Sequence, residues 1–132
     1  MADSYIPDSH VLLWYFWGEK EHLSAAAREL MGDLEDQERH FIIPSTVLLE
    51  IMRACEKKKI GPKFVSLLEW LNEMENVSFM SLDVSAVEKV CQIPSRYSLH
   101  DRAILASAII QKAALITKDG ELRKSKLVET IW

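Results

Sequence analysis

Four carboxylates stand where they could share a divalent cation. They are Asp8 in Tyr5-Ile6-Pro7-Asp8-Ser9, Glu50 in the run from Pro44 to Ile51, Asp101 in Leu99-His100-Asp101-Arg102, and Asp119 after Leu115-Ile116-Thr117-Lys118. Asp8 and Asp119 follow short apolar runs that read as strands, while Glu50 and Asp101 lie in or near the first turns of helices. In an open parallel sheet, strand carboxyl ends and the starts of the following helices meet on one edge, where ligands bind. Four acids gathered there repel one another unless a cation holds them. Hard cations such as Mg²⁺ and Mn²⁺ select oxygen ligands, so the chemistry to expect is metal-dependent phosphodiester cleavage.

Each acid also has a plainer reading. Asp8 and Asp101 could be helix caps, Glu50 a solvated helix residue, and Asp119-Gly120 a turn. Asp101 is the most informative, because Ile104, Leu105 and Ala108 lie three, four and seven residues on and align it with an apolar face. An unpaired carboxylate there is costly. His10 and His100 stand close to these acids in sequence, and at helix starts both read as hydrogen-bonding or packing residues. Arg53 and Lys57 share the helical face of Glu50 and could pair with it or approach a phosphate beside it.

The elements that must position these groups follow from periodicity. Strands are expected at Ser4 to Pro7, Phe41 to Ile43, Val77 to Leu82 and Ala114 to Thr117, with a last short strand or tail in Leu127 to Trp132. Helices are expected from Ser9 to Trp17, after a Ser24 cap, after Ser45 or Thr46 as cap, near Gly61-Pro62, from Asp83 or Ser85, and from Asp101 to Lys112. Phe64, Leu67, Leu68 and Leu71 form a stripe that reads as core. Strands alternating with helices imply an α/β fold, a parallel sheet with crossover helices on both faces.

At 132 residues, 48% of them hydrophobic, the chain is expected to form one domain, residues 1–132, with a sizeable core. The most apolar run, Val11 to Trp17, is far too short to span a membrane, and Asp3 stands where a secretory signal would carry positive charge. A cytoplasmic protein is expected, with Cys55 and Cys91 as buried reduced thiols. The net charge of −4 argues against a general nucleic-acid coat but leaves room for local basic clusters around Arg53 to Lys63 and Lys118 to Lys126. Trp14, Trp17, Trp70 and Trp132 read as core or interface aromatics.

At Asp8-Ser9-His10-Val11-Leu12-Leu13-Trp14, Glu50, Leu99-His100-Asp101-Arg102 and Thr117-Lys118-Asp119, the chain resembles the PIN-domain ribonucleases, above all the small toxins of the VapC type. The resemblance implies a three-layer α/β/α fold with a mostly parallel central sheet of four to five strands. It implies an acidic pocket for one or two Mg²⁺ or Mn²⁺ ions, with Asp8, Glu50 and Asp101 as core ligands and Asp119 as the fourth acid. Ser9 and Thr117 match supporting hydroxyl positions. Arg53, Lys57, Arg102 and Lys118 are candidates to neutralise charge on the phosphate. The resemblance further implies an RNA substrate, frequent homodimers and, for toxins, an antitoxin partner covering the pocket. The rival reading is a non-catalytic module acting by dimerisation or by docking on an RNA–protein assembly.

Overall fold

The computed structural model describes residues 2–132, apart from the side chain of Pro62. In chain order the elements are β1 (Ser4–Pro7), α1 (Ser9–Phe16), a 3-10 turn (Lys20–His22), α2 (Ala25–Glu35), β2 (His40–Pro44), α3 (Ser45–Lys57) and α4 (Gly61–Glu73). Then come β3 (Val77–Met80), α5 (Val84–Gln92), α6 (Leu99–Gln111), β4 (Ala114–Ile116), α7 (Gly120–Ser125) and β5 (Thr130–Ile131).

The five strands form one sheet in the order β3-β2-β1-β4-β5, and every pairing is parallel. The chain works outward from β1 to β3 and then returns to the other side of β1. Strand order therefore reverses between β1 and β4, and a crevice is expected at their carboxyl ends. Pro7 is tolerated in this central strand because it is the last residue of β1, where it pairs with Ile116.

Successive strand residues point to opposite faces. Tyr5 to Pro7, Phe41 to Ile43 and Ala114 to Ile116 are buried without a break, so helices cover both faces of the inner strands in a three-layer α/β/α arrangement. The edge strand β3 differs, with Ser78 and Phe79 exposed, and it ends at Met80, two residues before its expected limit. Helix α6 carries an unbroken buried run, Ala103 to Ala108, with the Ser107 hydroxyl donating to the Ala103 carbonyl at 2.8 Å. We expect Leu105→Ala, which empties a fully buried site on this helix, to cost about 2–5 kcal/mol in urea denaturation.

Several local expectations are corrected. Neither Ser45 nor Thr46 caps α3: the capping position is Pro44, which offers no side-chain acceptor, and both hydroxyl residues lie inside the first turn. Helix α6 starts earlier than Asp101, because the Ser98 hydroxyl accepts from the Asp101 N–H at 3.1 Å. Asp119-Gly120 opens the short helix α7 instead of a simple turn. In the α4 stripe, Leu67 and Leu71 are fully buried while Phe64 and Leu68 are only partly so. Cys55 is buried as expected, but Cys91 is exposed on α5. The four tryptophans pack, partly buried, against the core. No helix among the described residues is long and apolar enough to cross a membrane.

Candidate functional site

The seam between β1 and β4 is tied at its carboxyl end by polar groups. The Asp8 N–H donates to the Ile116 carbonyl at 2.9 Å, which extends the ladder one residue beyond Pro7. Asp8 then caps α1, accepting from the Ser9 N–H at 2.8 Å through Oδ1, while the Thr117 hydroxyl donates to Oδ2 at 2.8 Å. The same hydroxyl accepts from the Asp119 N–H at 3.0 Å, and Asp119 Oδ1 caps α7 through the Glu121 and Leu122 N–H groups. Both Asp8 and Asp119 are therefore helix caps. Capping leaves each carboxylate further lone pairs, since an ionised carboxylate accepts at about four positions.

Thr117 is fully buried at the centre of this chain of bonds. Thr117→Val keeps the volume and removes the hydroxyl, stranding the Asp119 N–H and one Asp8 interaction. We expect a loss of about 1–3 kcal/mol in urea denaturation.

Glu50 reaches the same edge from the first half of α3. The Ser9 hydroxyl donates to its Oε1, and His100 Nε2 lies 3.1 Å from its Oε2. One ligand atom each from Asp8, Glu50 and His100 lie within 4.8 Å of one another. The His100 Nε2 atom is buried and, despite that short approach, is not aligned in a hydrogen bond. Sequence reasoning gave His100 a hydrogen-bonding or packing role. The available signal was its position beside Asp101 at a helix start, one residue from an expected ligand.

Asp101 is half-buried in the first turn of α6. Burial pushes its carboxyl above the usual range, and the charges of Asp119 and Asp8 push the same way, against the Ser98 hydroxyl and His100. Burial likewise raises Asp8, with Glu50 adding to it, while Thr117, the Ser9 N–H and His100 pull it down. Asp8, Glu50, Asp101 and Asp119 thus converge on one edge. Among the described residues, no Lys or Arg forms an ion pair with any of the four. Costly burial and crowding of like charge both fit a divalent cation as a partner. The donor set, carboxylate oxygens with one imidazole, suits Mn²⁺ and Mg²⁺, and the nitrogen favours Mn²⁺.

Of the four basic candidates, two line the cavities flanking the acids. Lys118 lines a 270 Å³ pocket with Asp8, His10, Val11, Trp14 and Asp119. Arg53 lines a 490 Å³ groove with Glu50 and His100, which also includes Thr46, whose hydroxyl is buried without a partner. Lys57 is exposed on α3 one turn beyond Arg53, about 10 Å along the helix from Glu50. Arg102 is turned elsewhere, donating to the Val90 carbonyl at 3.1 Å near the end of α5.

Comparison with known proteins agrees with this arrangement. Ribonuclease VapC22 from Mycobacterium tuberculosis (strain ATCC 25618 / H37Rv) is 27% identical over 130 residues, covering 95% of each chain. The fold matches that of VapBC2 from Rickettsia felis, solved bound to a DNA fragment from its promoter, with a TM-score of 0.73, 14% identity and 97% of each chain covered. It also matches Mycobacterium tuberculosis VapC20, described as a sarcin-ricin loop cleaving toxin, with a TM-score of 0.71 at 14% identity over 96% of this chain and 97% of that one. The PIN domain family matches residues 5–126, nearly the whole of the sheet and the helices that carry the four acids, and the chain belongs to that family.

Proposed function

We propose that this protein is a metal-dependent endoribonuclease that hydrolyses RNA phosphodiester bonds, with Mn²⁺ or Mg²⁺ as cofactor, and that it is the toxin of a toxin–antitoxin pair. The observation that carries the reading is the group of buried and half-buried acids, Asp8, Glu50 and Asp101, at the strand switch point, with no Lys or Arg ion-paired to them among the described residues. When bound, a divalent cation supplies Lewis acidity, polarising a phosphoryl oxygen and acidifying water. Asp8, Glu50 and Asp101 would hold it, with Asp119 as fourth acid and His100 close enough to Glu50 to join them.

The remaining residues act by positioning. The Ser9 hydroxyl fixes Glu50 and the Thr117 hydroxyl fixes Asp8, so neither carboxylate must be ordered when substrate arrives. Arg53 and Lys118 flank the acids in the two cavities and would meet the phosphates on either side, with Lys57 further out. The bond from Arg102 to the Val90 carbonyl favours a structural role for that residue.

Two protein contacts belong to the same reading. The groove beside Glu50 carries the exposed side chains of Leu49, Leu82 and Leu99, Leu99 being 73% exposed, an apolar surface of the kind that marks a partner site. An antitoxin is the expected occupant, given similarity to VapBC proteins, and a homodimer in the cytoplasm is the expected assembly. The same surface favours the second reading, a non-catalytic docking module.

Calorimetric titration of Mn²⁺ into wild type and into the Asp8→Asn/Asp101→Asn double variant separates the two. Binding in wild type that vanishes in the variant is expected. Equal heats in both proteins would move the assignment to the docking module.

A further inference from the structure

We propose that the pocket beside Asp8 and Asp119 is a subsite for one unpaired nucleobase of the RNA, next to the phosphate to be cut; this rests on the ribonuclease reading above. The pocket has a volume of 270 Å³ and shares two of its walls, Asp8 and Asp119, with the acidic cluster. It is smaller than cavities that hold drug-sized ligands, and of a size for a single planar heterocycle.

The rest of its lining is what a base needs. His10 and Trp14 lie one helical turn apart on α1, on one face, with ring centroids 5.6 Å apart and planes tilted by 41°. The aromatic surface continues to His22, whose ring centroid is 5.1 Å from that of Trp14. Val11 adds an apolar contact from the same helix. Lys118 closes the set, with its ammonium 5.9 Å from the centre of the Trp14 ring.

Side chains of this kind bind unpaired bases by stacking, while a lysine beside them neutralises the adjoining phosphate. An aromatic side chain of a protein partner would use the rings but leave Lys118 without an anion. Trp14 is only partly buried and His10 is exposed, so both rings offer surface to an incoming ligand. Trp14, which reads from the sequence as a core or interface aromatic, thus packs on the core and also lines the pocket beside the acids.

The test uses three labelled octamers, oligouridylate, oligoadenylate and an abasic ribose-phosphate chain, bound to the full-length protein with Ca²⁺ to balance the acids and read by fluorescence anisotropy. Base-bearing strands are expected to bind the wild type about 5- to 150-fold more tightly than the abasic chain. Trp14→Leu should abolish that ratio, Trp14→Phe should keep most of it, and His10→Ala should reduce it without any burden on the core. A ratio near one in wild type, or the same ratio in wild type, Trp14→Leu and His10→Ala, overturns the subsite. Neither result bears on catalysis, which is judged separately by metal-dependent cleavage and its loss in Asp101→Asn.

Discussion

Replacing Asp101 with Asn is expected to slow metal-dependent RNA cleavage by roughly three orders of magnitude, about 4 kcal/mol of transition-state stabilisation. The change is nearly isosteric. It leaves the start of α6 intact, because the bond that caps this helix runs from the Asp101 backbone N–H to the Ser98 hydroxyl and does not involve the carboxylate. What it removes is a negative charge held at a cost: Asp101 is half-buried, and burial, Asp119 and Asp8 all oppose its ionisation. In a protein without a cation such a charge is a liability, and with one it becomes a ligand. Single-turnover cleavage of a randomised RNA pool in Mn²⁺ measures the effect, with circular dichroism to verify the fold. A variant cutting within tenfold of wild type would sink the role given to Asp101.

The second large effect is on stability. Saturating Mn²⁺ should raise the melting temperature of the wild type by roughly 10 °C: a ligand at a hundred times its Kd adds about 2.7 kcal/mol, and each kcal/mol moves a chain of this length by roughly 3–5 °C. Asp8→Asn should lose most of that gain. The metal-free proteins should show the opposite order, through the raised pKa of Asp8. A carboxyl with a folded pKa above its unfolded value favours the folded state while protonated. That contribution is complete below the unfolded pKa, and it disappears as pH rises through the folded one. In EDTA, therefore, Asp8→Asn should melt close to wild type in acid and increasingly above it as the pH rises past the ordinary carboxylate range. A gap that shrinks with rising pH would mean that Asp8 is stabilised as an anion by the protein alone.

Much of this was readable along the chain. Tyr5-Ile6-Pro7, Phe41-Ile42-Ile43 and Ala114-Leu115-Ile116 are unbroken apolar runs, the pattern of strands buried on both faces, and the helical segments between them dictate parallel connections. Asp8, Asp101 and Asp119 were visible because each follows a strand or lies in the first turn of a helix, while Glu50, the sixth residue of α3, sits one turn further in than expected. The errors were local: Pro44 took the position expected of Ser45 or Thr46, and Cys91 turned outward on α5. Capping and side-chain direction depend on a few degrees of backbone rotation, which residue type only biases.

Periodicity is a property of neighbours, so the residue order was enough to specify strands, helices, the parallel sheet and the elements on which the four carboxylates lie. Contacts between distant elements are set by how those elements pack. Thr117 and Asp8 are 109 residues apart and meet only because β4 inserts beside β1. His100 reaches Glu50 from a different helix, Arg102 is drawn away to the Val90 carbonyl, and the Trp14 ring faces a pocket beside the acids as well as the core. The first of these contacts, Thr117 with Asp8, follows from strand order, because many arrangements of the same five strands satisfy the same local pattern and the local pattern alone does not set β4 beside β1.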